Sequence, residues 1–125
     1  MIEEELPGIL ILEEKTGLDD LRRLVDRYFG DMVKFVVDVR LRTVAVGGEL
    51  HADAERLLLE RGSRQEDLWG ANYYPGKGKE DCIEYTALIN IRPSRGNRSM
   101  EIADVEIRRI IREVTHQLIG EGEVL

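Results

Sequence analysis

Residues 49–53 place two acids around one histidine, a pattern that can support metal binding or acid–base catalysis. In an extended backbone Glu49, His51 and Asp53 would all point to one side. If the segment is already helical, His51 instead lies one turn from Glu55. Either spacing puts a carboxylate beside an imidazole, as a divalent metal or a general base requires. Neither spacing matches a strong metal signature, so we predict no metal site. The alternative to a chemical role is a structural one, in which His51 caps or flanks a helix whose positive end the acids favour.

Three arginines occur at every third position of the segment RPSRGNRS, which begins at Arg92. Guanidinium groups bind carboxylates and phosphates through two parallel hydrogen bonds, so Arg92, Arg95 and Arg98 suit a small anionic ligand. The net charge of the chain is −7, so the same arginines can instead pair with its own acids. We expect this loop and the start of the helix after residue 49 to meet at one edge of a sheet. The acids that would then reach the arginines are Glu49, Asp53 and Asp67.

The stretch SRQEDLWGANYYPG begins at Ser63 and mixes polar with aromatic side chains. Ser63 and Glu66 stand in the S-x-x-E relation of a capping box, in which each side chain binds the other's backbone N–H. The box predicts a short helix that carries Leu68 and Trp69 and ends at Gly70.

Capping leaves several residues of this stretch without a structural role. Gln65, Asp67 and Asn72 are therefore candidate site residues. Trp69 is either a plug in the core or a dimer contact, and the alternative is that it stacks on a ligand.

Two further features indicate little chemistry. Gly47 and Gly48 lie between a strand and a helix, where a phosphate cradle would be, but GxGxxG and Walker spacing are missing and a tight turn is expected. Cys82 is the single cysteine and has no histidine near it in sequence to act as its base. We predict no cofactor.

Composition bounds the class of protein. The 125 residues suit one domain spanning 1–125, and a single cysteine suits a reducing cytoplasm. The negative net charge argues against nucleic acid and anionic membrane as partners. From residue 92 to 112, however, arginines outnumber acids. Apolar runs are too short for a membrane span.

Hydrophobic periodicity predicts the elements. Strand patterns occur at residues 9–12, 32–39, 43–46 and 82–92, where CIEYTALINIR alternates. Helical spacing is found from Thr16 to Gly30, from about Ala52 to Arg61, and from Asp104 to Gly120. Short connections favour antiparallel pairs, so we predict an α+β two-layer sandwich with a mostly antiparallel or mixed sheet and about three helices.

Two blocks of the sequence carry a resemblance to a known family. GGELHADAERLLLERGSRQEDLWGANYYP and ALINIRPSRGNRSMEI, followed by an amphipathic helix, resemble a prokaryotic family catalogued as a domain of unknown function. The resemblance runs over about residues 34–120. It implies a small cytoplasmic protein, and it implies no activity, cofactor or catalytic residue.

Two functions from different classes remain, and we favour the first because no nucleophile elbow, zinc signature or paired-carboxylate motif supports the second. The first is a non-catalytic binding or interaction module, a homodimer whose polar loops hold a partner or a small anionic ligand. The second is a small hydrolase in which the acids and His51 act as base or metal ligands and the arginines hold an anionic group. The candidate cluster for both is Glu49, His51, Asp53, Gln65, Asp67, Trp69, Asn72, Arg92, Arg95 and Arg98.

Overall fold

The computed structural model describes residues 4–6 and 8–125, with side chains from residue 8 onward. The strands of this part of the chain are β1 (Glu4–Leu6), β2 (Ile9–Leu12), β3 (Val33–Asp38), β4 (Thr43–Gly47), β5 (Leu68–Tyr73) and β6 (Ile83–Glu84). Its α-helices are α1 (Leu18–Tyr28), α2 (His51–Glu60) and α3 (Val105–Leu118). In this same part, no helix has the length and apolar character that crossing a membrane requires.

The strands form one antiparallel sheet in the order β1-β2-β4-β3-β5-β6. The predicted hairpin between β3 and β4 is confirmed, and the Asp38 side chain closes its turn. Asp38 Oδ1 accepts hydrogen bonds from the backbone N–H groups of Arg40 (2.9 Å) and Leu41 (2.8 Å). This turn is local, which is why the sequence predicted it.

Helices cover both faces of the sheet. On one face α1 and α3 bury residues such as Leu24 and Ile111 against Phe35. On the other face α2 buries Leu58 against Val36 and neighbouring residues. The α+β class with three helices and an antiparallel sheet is confirmed, but the layers number three where the sequence suggested two. Central strands with apolar residues on both faces need cover on both sides.

The stretch after Gly62 differs from its prediction. Ser63 does not cap a helix, because its hydroxyl donates to Asp38 Oδ2 at 2.6 Å. Residues Gln65–Asp67 form a single 3-10 turn with no side-chain cap. The residues expected to be helical, Leu68 to Gly70, belong to β5, where Gly70 pairs with Val36. A strand at this position buries all six of its residues, which outweighs the local capping preference.

The long strand predicted over residues 82–92 is also wrong. Only β6 forms there; the chain then bends, makes an isolated bridge between Thr86 and Glu101, and enters a 3-10 turn at Leu88–Asn90. The predicted alternation required Ile89 and Ile91 to lie on the same buried face. In the structure Ile89 packs under α2, whereas Ile91 is exposed.

Helix termini agree with the sequence at some ends and not at others. Asp104 caps α3, accepting from the backbone N–H groups of Glu106 (2.8 Å) and Ile107 (3.2 Å), as predicted. Thr16 does not cap α1; the N-cap is Gly17, without a side-chain bond. The Thr16 N–H instead donates to a carbonyl at the end of α3, which ties the two helices together.

Candidate functional site

The first residue of α2, His51, turns toward the sheet. Gly47 and Gly48 have φ of 111° and 86°, so they form the expected tight turn between β4 and α2. The imidazole is 9% exposed, and its Nε2 lies 2.9 Å from the Ala71 carbonyl oxygen. A carbonyl oxygen can only accept, so Nε2 carries the proton and the neutral ring keeps Nδ1 as an acceptor.

Burial lowers the pKa of His51 below its usual 6.5. The hydrogen bond to Ala71 opposes this shift, and the nearby positive charge of Lys34 adds to it. The imidazole is therefore neutral near pH 7. The charged residue that acts on the ring is a lysine; the acid–imidazole pair considered from the sequence does not form, since Glu49 is exposed and Glu55 binds an arginine.

Asn72 lies on the same face of the sheet and carries an unpartnered acceptor. Its Nδ2 donates to Glu84 Oε1 (2.8 Å) and to the Thr86 carbonyl oxygen (3.4 Å). These two acceptors fix the orientation of the amide, because only its NH2 group can donate to them. Asn72 is 7% exposed, and its Oδ1 is buried without a hydrogen-bond partner. A buried acceptor left unpaired costs free energy, so it calls for a partner.

A cavity of about 350 Å³ opens beside these two side chains, and we call it the His51 pocket. Its wall is mainly apolar, and its polar lining residues are Lys34, His51, Asn72 and Thr86. Lys34 is the one charged residue of this lining, and its ammonium group also lies 5.1 Å from the centroid of the Phe29 ring. An apolar cavity with a few convergent polar groups is the usual form of a small-molecule site.

The pocket exists because β6 covers only one end of β5. β6 pairs with Asn72 and Tyr73 and goes no further. Beyond it, the Asn90 amide takes the place of a neighbouring strand: its Oδ1 accepts from Gly70 N–H and its Nδ2 donates to the Gly70 carbonyl, both at 2.9 Å. The chain between β6 and Asn90 therefore passes beside β5 as an unpaired arch, and its residues 86–89 form one wall of the pocket.

The loop of residues 92–98, which we call the arginine loop, borders a second cavity of about 600 Å³. We call this cavity the arginine cleft. Arg92 pairs with Glu55 of α2 at 3.4 Å, with 11% and 13% of the two side chains exposed, and lies 4.8 Å from the centroid of the Trp69 ring. Burial lowers the pKa of Arg92 and raises the pKa of Glu55, and each charge opposes the other's shift. Arg95 pairs with Glu66 at 3.3 Å on the surface. Arg92 Nη1 is buried without a hydrogen-bond partner, but both guanidinium groups have an acid beside them, so the cleft is better described as a set of stabilising ion pairs than as an anion site.

The two cavities adjoin, since Leu88 and Ile89 line both. Helix α2 and the arginine loop thus meet at one edge of the sheet through Glu55, and the 3-10 turn adds Glu66, where the sequence suggested Glu49, Asp53 and Asp67. Asp67 binds Arg40 at 3.1 Å.

The other candidate residues are distributed around these cavities. Gln65 lines the arginine cleft. Glu49 and Arg98 are exposed, and Asp53 is half-buried. Within the described residues no cluster of three or more His, Cys, Asp or Glu side chains could hold a metal ion.

Trp69 is a core residue. It is 4% exposed and packs in the cluster under α1 and α3, on the face of the sheet opposite the His51 pocket. Its Nε1 is buried without a partner. Trp69 therefore fills the interior and stacks on Arg92.

A family model described as "Protein of unknown function (DUF5674)" matches residues 10–118. The chain belongs to this family. The match extends further toward the N-terminus than the block that the sequence analysis recognised, and it contains every residue that lines the two cavities. No curated protein and no solved structure matches the chain.

Sequence reasoning about this DUF5674 protein missed Lys34 and Thr86, which line the His51 pocket, and Asn90, which binds Gly70 beside it. Lys34 and Thr86 were assigned to strands, and Asn90 to the polar face of one. The available signal was weak: Lys34 interrupts an otherwise apolar strand, and a residue of that kind on a buried face indicates a polar contact.

Proposed function

We propose that this DUF5674 protein is a binding module that holds a small amphipathic anion in the His51 pocket. The observation that carries the proposal is the buried, unpartnered Oδ1 of Asn72, since a ligand N–H or O–H group would satisfy it. His51 Nδ1 is a second acceptor, and the Asn72 side chain lies close enough to the imidazole to affect its pKa.

The lining of the pocket favours a particular ligand chemistry. Apolar side chains such as Leu88, Ile89 and Met100 suit a hydrocarbon body. The ammonium group of Lys34 and the positive end of α2, which begins at His51, favour a carboxylate or another small anion at one end. The volume, about 350 Å³, is at the lower end of the range for small-molecule sites, about 300–1,000 Å³.

The hydrolase alternative has less support. It needs an acid beside the imidazole, and the structure places the Ala71 carbonyl there. It also needs free arginines, whereas Arg92 and Arg95 are paired with Glu55 and Glu66.

A titration followed by backbone amide chemical shifts tests the ligand proposal. The probe is 2-hydroxyhexanoate, whose hydroxyl group can donate to Asn72 Oδ1, with 2-hydroxyhexanamide and 1-amino-2-hexanol as the neutral and cationic counterparts at the same millimolar concentrations. We expect 2-hydroxyhexanoate to shift the amides of residues 50–52, 72 and 86–89 most strongly, 2-hydroxyhexanamide less and 1-amino-2-hexanol least. Absence of shifts at these amides with all three compounds would overturn the proposal.

Two variants and a matched control sharpen this test. Ala52→Trp puts a large side chain at the mouth of the pocket, and Lys34→Gln removes its charge. Arg56→Trp, one helical turn further along α2, introduces the same side chain at an exposed position outside the pocket. Ala52→Trp should abolish the shifts, Lys34→Gln should remove the preference for 2-hydroxyhexanoate, and Arg56→Trp should leave both unchanged.

We also propose that the chain forms a homodimer through an apolar patch at the mouth of the pocket. Leu50, Leu88 and Met100 line the pocket and are 56%, 72% and 43% exposed, and adjacent exposed apolar side chains are typical of interfaces. Light scattering tests this: we expect twice the chain mass of 14.3 kDa, and the monomer mass for Leu88→Glu. A monomer mass for the unmodified protein across a tenfold concentration range would overturn it.

We infer a cytoplasmic location. Cys82 is a free, buried thiol, which suits a reducing compartment. Cell fractionation with an antibody against the protein would test this, and recovery in the extracellular or envelope fraction would contradict it.

A further inference from the structure

A groove of about 610 Å³ runs along α3 on the face of the sheet opposite the His51 pocket. Arg108, Arg112 and His116 are spaced by four residues, so they lie on one side of the helix and line the groove. Lys79 and Tyr85 line its other wall. We call this feature the α3 groove.

Arg108 is held in a fixed position in this groove. Its Nε donates to the Ile102 carbonyl oxygen, and its guanidinium carbon lies 4.7 Å from the centroid of the Tyr85 ring. Its two Nη groups make no hydrogen bond to any described residue, so they remain available as a pre-positioned pair of donors.

Arg112 lies one helical turn from Arg108, and within the described residues it has no ion pair or hydrogen bond of its side chain. Burial raises the pKa of Tyr85, and Arg112 and Arg108 both oppose that rise. Both guanidinium groups therefore lie close enough to act on the phenol. Two like charges at neighbouring positions of one helix repel each other, and an anion between them relieves that repulsion.

The remaining charges of the groove leave it positive. Arg109 is bound by Glu106 and Glu113, and Glu113 also binds Arg42, so these two acids and two arginines balance. Three cations then remain, Lys79, Arg108 and Arg112, against Glu80 among the lining residues.

The groove is less positive toward its C-terminal end, where His116 and Glu123 lie. His116 Nε2 is buried without a hydrogen-bond partner, so a ligand could bind to it as well as to the arginines. Glu123 is close enough to His116 to be affected by its charge. The positive part of the groove is therefore the region around Arg108 and Arg112, and in a chain of net charge −7 such a region is an exception.

We propose that the α3 groove binds the phosphate group of a small phosphorylated molecule. Guanidinium forks match the geometry of phosphate oxygens, and three cations around one site favour a dianion over a singly charged carboxylate. The site does not depend on the His51 pocket, since the two lie on opposite faces of the sheet.

Inorganic pyrophosphate and adenosine diphosphate are the probes, and amide chemical shifts locate where they bind. We expect both to shift the amides of residues 79–85 and 105–116 and to leave those of residues 50–52 unchanged. Added salt should weaken the binding, because the attraction is between charges. Shifts that are absent from residues 79–85 and 105–116, or spread evenly over the surface, would overturn the proposal.

Arg112→Gln is the decisive variant, with Arg98→Gln as its control. Both residues are exposed arginines with no ion pair among the described residues, so neither substitution should affect folding. Loss of a charge-assisted hydrogen bond should raise the Kd for pyrophosphate by roughly tenfold or more in Arg112→Gln. Equal Kd values for the two variants would show that the groove is not the site. Tighter binding of a single-stranded oligonucleotide than of either probe would identify a nucleic-acid surface and likewise overturn the proposal.

Discussion

At the scale of single residues, buried amide side chains complete the backbone hydrogen bonding where β5 has no neighbouring strand. Asn90 is fully buried and binds both backbone groups of Gly70 and, at 3.0 Å, the Met100 carbonyl oxygen. Asn97 donates in turn to the Asn90 carbonyl oxygen at 2.7 Å. Buried peptide groups need such partners, so these asparagines hold the arch over the His51 pocket in place.

The bond between Ser63 and Asp38 gives a prediction at this scale. Ser63→Ala should lower the free energy of unfolding by about 1–2 kcal/mol, because the buried Asp38 carboxylate loses a donor. Urea denaturation measures this loss, and a double-mutant cycle with Asp38→Ala should show that the two residues are coupled.

Glu66→Ala is the control for that prediction. Glu66 pairs with arginines on the surface, so its loss should cost less than about 0.5 kcal/mol. A loss from Glu66→Ala as large as that from Ser63→Ala would support the capping box instead.

His51 predicts a pH dependence of stability. Burial lowers its pKa below 6.5 in the folded protein, so as the pH falls through 6.5 the unfolded chain takes up the proton first. The free energy of unfolding should therefore decrease from neutral pH downward, until the folded pKa is reached. His51→Gln should lose this contribution, whereas His116→Gln on α3 should keep it. Parallel pH profiles for His51→Gln and the unmodified protein would contradict the burial of this imidazole.

At the scale of elements, β5 is the strand that separates the His51 pocket from the core under α1 and α3. It presents Asn72 to the His51 pocket on one face and Trp69 to the core on the other. Gly70 lies between them, where the segment carrying Ala87 crosses close to the strand.

Gly70→Ala tests that packing. A Cβ at this position would lie 2.6 Å from the Ala87 Cβ and 3.1 Å from His51 Cδ2. We expect a loss of about 1–3 kcal/mol in the free energy of unfolding, as for other overpacked sites. Gly17→Ala is the matched control: its φ is −74° and the nearest atom, Asp20 Oδ2, is 3.8 Å away, so the substitution causes no clash and should cost less than about 1 kcal/mol, since Ala is only a poorer N-cap than Gly. Equal stabilities for the two variants would mean that the segment does not lie against β5.

At the scale of the whole molecule, Arg92 connects α2, β5 and the arginine loop. Its ion pair with Glu55 is mostly buried and it stacks on Trp69. Arg92→Ala should lower the melting temperature, with a loss of about 2 kcal/mol in stability, because Glu55 is left without its partner. Arg95→Ala, which removes a half-exposed pair, should cost about 0.5 kcal/mol or less.

Replacing both members of the buried pair separates its two effects. Arg92→Met combined with Glu55→Met should recover most of the lost stability, because no charge is then left buried. If Arg92→Ala and Arg95→Ala lower the free energy of unfolding equally little, the interpretation of the arginine cleft as a set of stabilising ion pairs is wrong.

What the sequence determined by itself are the elements with strong local signals. The apolar stripe and Asp104 predicted α3, short spacing and β-branched residues predicted the β3–β4 hairpin, and Gly30 marked the end of α1. In each case the interactions that decide the structure lie within a few residues of one another, so a pattern in the sequence is enough to reveal them.

Only the tertiary structure decided the conformation of residues 63–92 and the surroundings of His51. LWGANY becomes a strand because it lies between β3 and the 83–90 segment, where all six residues are buried, and a capping preference worth about 1 kcal/mol cannot oppose that burial. The partners of His51 and Asn90, Ala71 and Gly70, lie 20 residues away in each case. Contacts over such separations depend on how the chain folds back on itself, which local spacing does not record.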